Sequence, residues 1–259
     1  MLKEIIIAIQ GYYKAHYFIR EHKLWKWIII PGIIYTILFA VSMYFFGLTA
    51  NSFIEWITLK TGLKTWLSKN DTGLLGFLFT FAGVMLWIIQ MLFYFSLFKY
   101  FWLIVGSPVF AYLSEKTATI IEGKEFNFNS TQFIKDILRG AQIAVRNCLW
   151  QTVYMISILI LSLIPIAGWL TPLLALLVEC YYYGFSMLDY SFERKKLTPP
   201  QSIYFIADHK GLAIGNGLIF YLMQVIPIIG WILAPAYAVI AATLSLHDVK
   251  EFLPVKTEA

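Results

Sequence analysis

Two short stretches of this 259-residue chain have the residue types to handle an anion: Ile164-Pro165-Ile166-Ala167-Gly168-Trp169 and, sixty-two positions later, Ile226-Pro227-Ile228-Ile229-Gly230-Trp231. Pro and Gly three apart break an ordinary helix. Nearly charge-free residues flank each copy on both sides. Each copy therefore reads as the tip of a helical hairpin. The arms that begin near Trp169 and Trp231 then present helix N-termini, whose first N–H groups lack intrahelical partners and carry the positive end of the macrodipole. Such half-helix ends suit an anion, and Gly168 and Gly230 let one approach the backbone. A second reading stays open, in which the tips only pack against each other.

Other chemistry finds less support. His16, His22, His209 and His247 are scattered over segment ends with no His or Cys partner at ligand spacing, so no metal site is expected. Cys148 and Cys180 each lie in an apolar arm and read as buried free thiols. Gly211-Leu-Ala-Ile-Gly215-Asn-Gly217 is no phosphate loop, because it lies on an apolar arm where close helix packing explains it. Glu179 is an acid in an apolar arm, ten residues from Asp189, and reads as reaching the membrane interface. No nucleophile constellation is present, so neither an enzyme nor a cofactor is expected.

The elements that position these residues belong to a membrane. The chain is 59% apolar, 18% aromatic and only 14% charged, outside the globular norm. An all-α integral membrane protein with one membrane domain, 1–259, is expected. Its net charge of +5 is dispersed along segment flanks, which sets nucleic acid aside. Residues 1–24 place Leu2, Ile5, Ile6, Ile9, Tyr12 and Tyr13 at helical spacing and predict an interfacial helix. Two long spans follow within 27–105, at 27–52 and 72–105, the second ending at Gly106-Ser107-Pro108. Its length at 1.5 Å per residue is about 51 Å against a hydrocarbon core of about 30 Å, so the helix tilts or projects, with Lys99 snorkelling near one end.

Residues 109–146 read as an extramembrane helical segment, 147–188 as the first hairpin and 211–246 as the second, with a charged link between them. A tip that entered water would carry charged or small polar residues, and neither copy does. Both hairpins are therefore expected to be re-entrant, penetrating the bilayer only in part and returning to their face of entry. That topology puts sixteen of the twenty Lys and Arg on the face that holds both termini, which the positive-inside rule assigns to the cytoplasm.

Four features, taken in order, resemble the CysZ sulfate permease family, which is related to the eukaryotic etoposide-induced proteins. They are Lys26-Trp27-Ile28-Ile29-Ile30-Pro31 entering the first span; Ser107-Pro108 followed by Leu113-Ser114-Glu115; Lys135-Asp136-Ile137-Leu138-Arg139; and Ile164-Pro165 leading to Asp189-Tyr190-Ser191-Phe192. The resemblance covers nearly the whole chain. It implies two long spans with two partly penetrating hairpins, a homo-oligomer in the inner (plasma) membrane, and transport of sulfate or a similar small inorganic anion. The family's pair of adjacent arginines before the first span corresponds here to Trp25 and Lys26, so one charge is absent and the other is a point charge. On this resemblance Lys26 and Arg139 join the tip glycines Gly168 and Gly230 as anion-binding residues, with Glu115 positioning the cations. The competing expectation is a non-transporting protein that organises or shapes the bilayer through wedge-like hairpins and an interfacial helix.

Overall fold

A computed structural model of the chain describes residues 1–60, 62, 65, 73, 76, 77, 87, 91, 94, 97–124, 130–162, 170–192 and 197–249. Among these residues every regular element is a helix and none is a strand. The helices are α1 (Leu2–Glu21), α2 (Trp25–Lys60), α3 (Leu97–Val105), α4 (Ser107–Ile121), α5 (Ser130–Ser162), α6 (Thr171–Phe192), α7 (Pro199–Asp208), α8 (Lys210–Gln224) and α9 (Ile229–Asp248). Among the described residues three stretches are long and apolar enough to cross a membrane: Trp25–Ser52 of α2, Ile137–Leu161 of α5, and α9. A fourth arises if α3 and α4, bent by 61° at Gly106, form one span. The protein is an all-α integral membrane protein, as its composition requires. The expected first span lies inside α2, which continues through Pro31. Most of the expected second span falls outside the described residues, but its last turns are helical and end at Gly106.

The chain forms two compact units, one from Met1–Thr36 with Trp102–Ala259 and one from Ile37–Phe101. In the smaller unit α2 runs antiparallel to the returning chain: Phe39 meets Phe98 with ring centroids 5.2 Å apart, the Ser42 and Tyr94 hydroxyls meet at 2.5 Å, and Phe46 meets Trp87 at 5.8 Å. In the larger unit α6 is the central helix, buried at Cys180 and from Tyr182 to Phe192, with α4, α5, α8 and α9 packed around it. Glycines set the closest approach. A Cβ on Gly184 would overlap the Ala213 carbonyl oxygen, and one on Gly217 would overlap the Cys180 carbonyl oxygen, so α6 and α8 touch backbone to backbone.

Helix α1 has two apolar faces. One, with Ala8, Gly11, Tyr12 and Ala15, is buried against α8 and α9. The Tyr12 hydroxyl donates to the Asn216 carbonyl at 2.8 Å, and Lys14 pairs with Asp248 at 2.6 Å. Leu2, Ile6, Ile9, Tyr13 and Tyr17 form a separate exposed stripe at helical spacing. Tyr12 thus belongs to the packed face, not to the interfacial one. Helix α5 runs without a break through Arg146 and Asn147, from the segment expected outside the membrane into the first expected hairpin. Asn147 and Gln151 are buried and donate to the Ser186 hydroxyl and to Glu179.

Candidate functional site

Residues from three of the four dispersed motifs, Ser114, Arg139 and Asp189 to Ser191, meet at the C-terminal end of α6. Arg139, from α5, directs Nε and Nη2 at the two carboxylate oxygens of Asp189, at 3.3 and 3.1 Å. The same guanidinium donates to the Ser202 hydroxyl at 2.6 Å and, through Nη1, to the Leu197 carbonyl. Ser202 is placed by a capping box that starts α7, in which Thr198 N–H donates to Gln201 Oε1 at 2.8 Å. The pair is nearly sealed, with side chains 10% and 3% exposed. The fork that could clamp an oxyanion is therefore filled by the protein's own carboxylate. This is a structural clamp joining α5, α6 and α7.

One residue further along α6, the Tyr190 hydroxyl donates to the Leu103 carbonyl at 2.9 Å, and its ring packs where a Cβ on Gly140 would intrude. Ser191 then meets Ser114 of α4 and Thr243 of α9 in a buried hydroxyl cluster. Ser202 and Thr243 lie outside the quoted motifs, and nothing in their sequence context marks them.

The second tip is compact. Ile228 carries φ 64° and ψ −63°, and Ile229 N–H donates back to the Pro227 carbonyl at 2.7 Å, which makes a γ-turn around a β-branched residue. Gly230 N–H donates to the Ile226 carbonyl at 3.0 Å, and a Cβ on Gly230 would overlap the Met223 carbonyl oxygen. The Gly230 N–H is thus spent inside the hairpin, and the glycine serves the approach of its own two arms. Trp231 also packs within the hairpin, donating from Nε1 to the Gln224 carbonyl at 3.1 Å. Gly168 and the first tip lie outside the described residues.

Lys26 is exposed in the first turn of α2. Its neighbour Trp27 packs tilted against Tyr112 of α4 with ring centroids 4.2 Å apart, and Lys116 donates to the Tyr112 hydroxyl at 3.1 Å with its ammonium 5.9 Å from the Trp27 ring centroid. Glu115 is half-buried on α4 beside Lys116. Glu179 does not simply reach outwards: it accepts from Gln151 of α5 and from the Tyr221 hydroxyl of α8, each at 2.5 Å, and so ties both hairpins together. Neither donor was legible as its partner, since both come from other helices.

Comparison with known proteins gives the same assignment as the dispersed motifs. The family model described as sulfate transporter CysZ/etoposide-induced protein 2.4 matches residues 13–235. The chain is similar to proteins named sulfate transporter CysZ: 25% identical over 84% of this chain and 82% of the relative from Pseudomonas syringae pv. tomato. The corresponding values are 25%, 84% and 83% for Pseudomonas fluorescens, and 23%, 84% and 85% for Pseudomonas aeruginosa. With a family model spanning most of its length and relatives matched across more than four-fifths of theirs, the chain belongs to the sulfate transporter CysZ/etoposide-induced protein 2.4 family.

Proposed function

We propose that the protein is a permease for sulfate or a similarly small oxyanion, working as a homo-oligomer in the inner membrane with both termini in the cytoplasm. The observation that carries this reading is the similarity, over 84% of the chain, to proteins named sulfate transporter CysZ. Lys26 is the first anion contact in this reading, because it is an exposed cation at the start of a spanning helix. Arg139 acts through Asp189, holding α5 and α7 on α6, and Glu115 orders the cations around Trp27 and Tyr112. Gly230 keeps the second hairpin tight, and Gly168 keeps the role its repeat suggests. The hairpins return to their face of entry, which α8 supports: fifteen residues make about 22 Å of helix, short of a hydrocarbon core of about 30 Å.

A ligand that binds only the folded state must stabilise it. N-methyl-D-glucamine sulfate should therefore raise the melting temperature of the purified protein above that in the chloride salt at equal ionic strength. No difference, at sulfate far above a plausible dissociation constant, favours the second reading, a protein that organises the bilayer without transport. The spent N–H of Gly230 and the filled fork of Arg139 are the observations on that side.

A further inference from the structure

Around the end of α6 there are more oxygen contacts than hydrogens to make them. The Oγ atoms of Ser114 (α4) and Ser191 (α6) lie 3.0 Å apart, and Thr243 Oγ1 (α9) lies 3.2 Å from the first and 2.9 Å from the second. Ser114 Oγ is also 3.2 Å from the Tyr190 carbonyl oxygen, and Thr243 Oγ1 is 2.9 Å from that of Val239. A carbonyl brings no proton and each hydroxyl brings one. Five contacts thus share three hydrogens, and two of them either close oxygen on oxygen or divide a proton that serves another bond. Dividing a proton weakens both bonds, and in a buried site no bulk water offsets the loss. Ser114, Ser191 and Thr243 are each at most 2% exposed.

Two more features make the place electron-rich. Thr117, one turn beyond Ser114 on α4, is fully buried, and its hydroxyl has no hydrogen-bond partner among the described residues. Tyr190 lies in the last turn of α6, where carbonyls lose their helical donors and the macrodipole is negative. The neighbouring positive charge on Arg139 is matched by Asp189, so the ion pair adds no net charge.

We propose that these oxygens hold a small monovalent cation, sodium, with Ser114 Oγ, Ser191 Oγ, Thr243 Oγ1 and the Tyr190 carbonyl as its donors. An all-oxygen donor set without nitrogen or sulfur suits a hard ion. The lack of a carboxylate among those donors argues against calcium or magnesium, whose protein sites draw on carboxylates. Oxygens this close together leave too little room for the wider shell of potassium. Broken and terminal helix carbonyls are where membrane transporters place sodium. The ion would complete the contacts that hydrogen leaves unmade and would pin α4, α6 and α9 at the point where residues of three family motifs meet. The site does not depend on sulfate being the substrate.

The test is thermal unfolding of the purified full chain in lipid nanodiscs, with chloride salts of sodium, potassium and N-methyl-D-glucamine at equal ionic strength. Sodium should raise the melting temperature by a saturable shift on the order of 3 °C, which potassium does not reproduce. Thr243→Val, which keeps the shape and removes the oxygen, should abolish that shift, and Ser114→Ala should do the same. Where a variant fails to fold, the sodium titration of the unmodified protein decides alone. Equal melting in all three salts overturns the site, as does equal stabilisation by sodium and potassium, or a full sodium shift retained in Thr243→Val.

Discussion

Arg139 and Asp189 are fifty positions apart in the chain and meet where neither could be left alone. Replacing Arg139 by Gln strands a carboxylate that is 3% exposed, and breaking a buried pair in this way costs about 3–5 kcal/mol. Arg139→Gln should therefore melt far below the parent protein, and Arg139→Gln with Asp189→Asn should recover part of the loss; a single variant that melts like the parent would show that the clamp does not hold the fold. Lys26→Gln should behave in the opposite way. It removes an exposed cation, so melting should hardly move, while the KM for sulfate rises several-fold, on the order of 1 kcal/mol for one charge-assisted contact. Unchanged uptake kinetics at equal protein level would remove Lys26 from the anion path. The sequence showed both cations in family motifs but not their difference, because a carboxylate fifty residues away decides which of the two is taken.

At the scale of helices, the glycines of 211–217 were legible as a packing motif, since close approach needs small residues whatever the partner. Which helices they join was not legible: Gly217 faces α6, whereas Gly215 faces Ile5 and Ala8 of α1. Gly184→Ala and Gly217→Ala should each lower the melting temperature strongly, because the new methyl group meets backbone that cannot move aside. Gly47 has nothing within 4 Å of its would-be Cβ, so Gly47→Ala should be neutral or gain up to ~1 kcal/mol from helix propensity. Equal losses in all three would mean that membrane insertion, not packing, sets the effect. At the second tip, Ile228→Gly relieves a β-branched residue of positive φ and should not destabilise, whereas Gly230→Ala should. The continuous α5 was hidden for a different reason. Arg146, Asn147 and Gln151 are polar residues in the middle of that helix, where Arg146 lies over the Phe185 ring and the two amides find partners on α6.

For the whole molecule, composition sufficed to assign the membrane class, and the order of four weak motifs sufficed for the family; residues of three of them, Ser114, Arg139 and Asp189 to Ser191, converge on the last turns of α6, whereas Trp27 of the first meets Tyr112 of α4. Membrane topology is less directly readable, since α9, with twenty residues, is long enough to cross while α8 is not. In the re-entrant arrangement a cysteine placed at exposed Ile229 stays hidden from an impermeant thiol reagent applied opposite the termini; ready labelling there means that the hairpin arms cross fully. The central claim is transport, and uptake of radiolabelled sulfate into proteoliposomes tests it most directly, with phosphate and chloride as competitors and empty liposomes as the baseline. Saturable uptake above that baseline, reduced by Lys26→Gln, is expected. Uptake indistinguishable from empty liposomes, in protein that is folded and inserted, would contradict that claim.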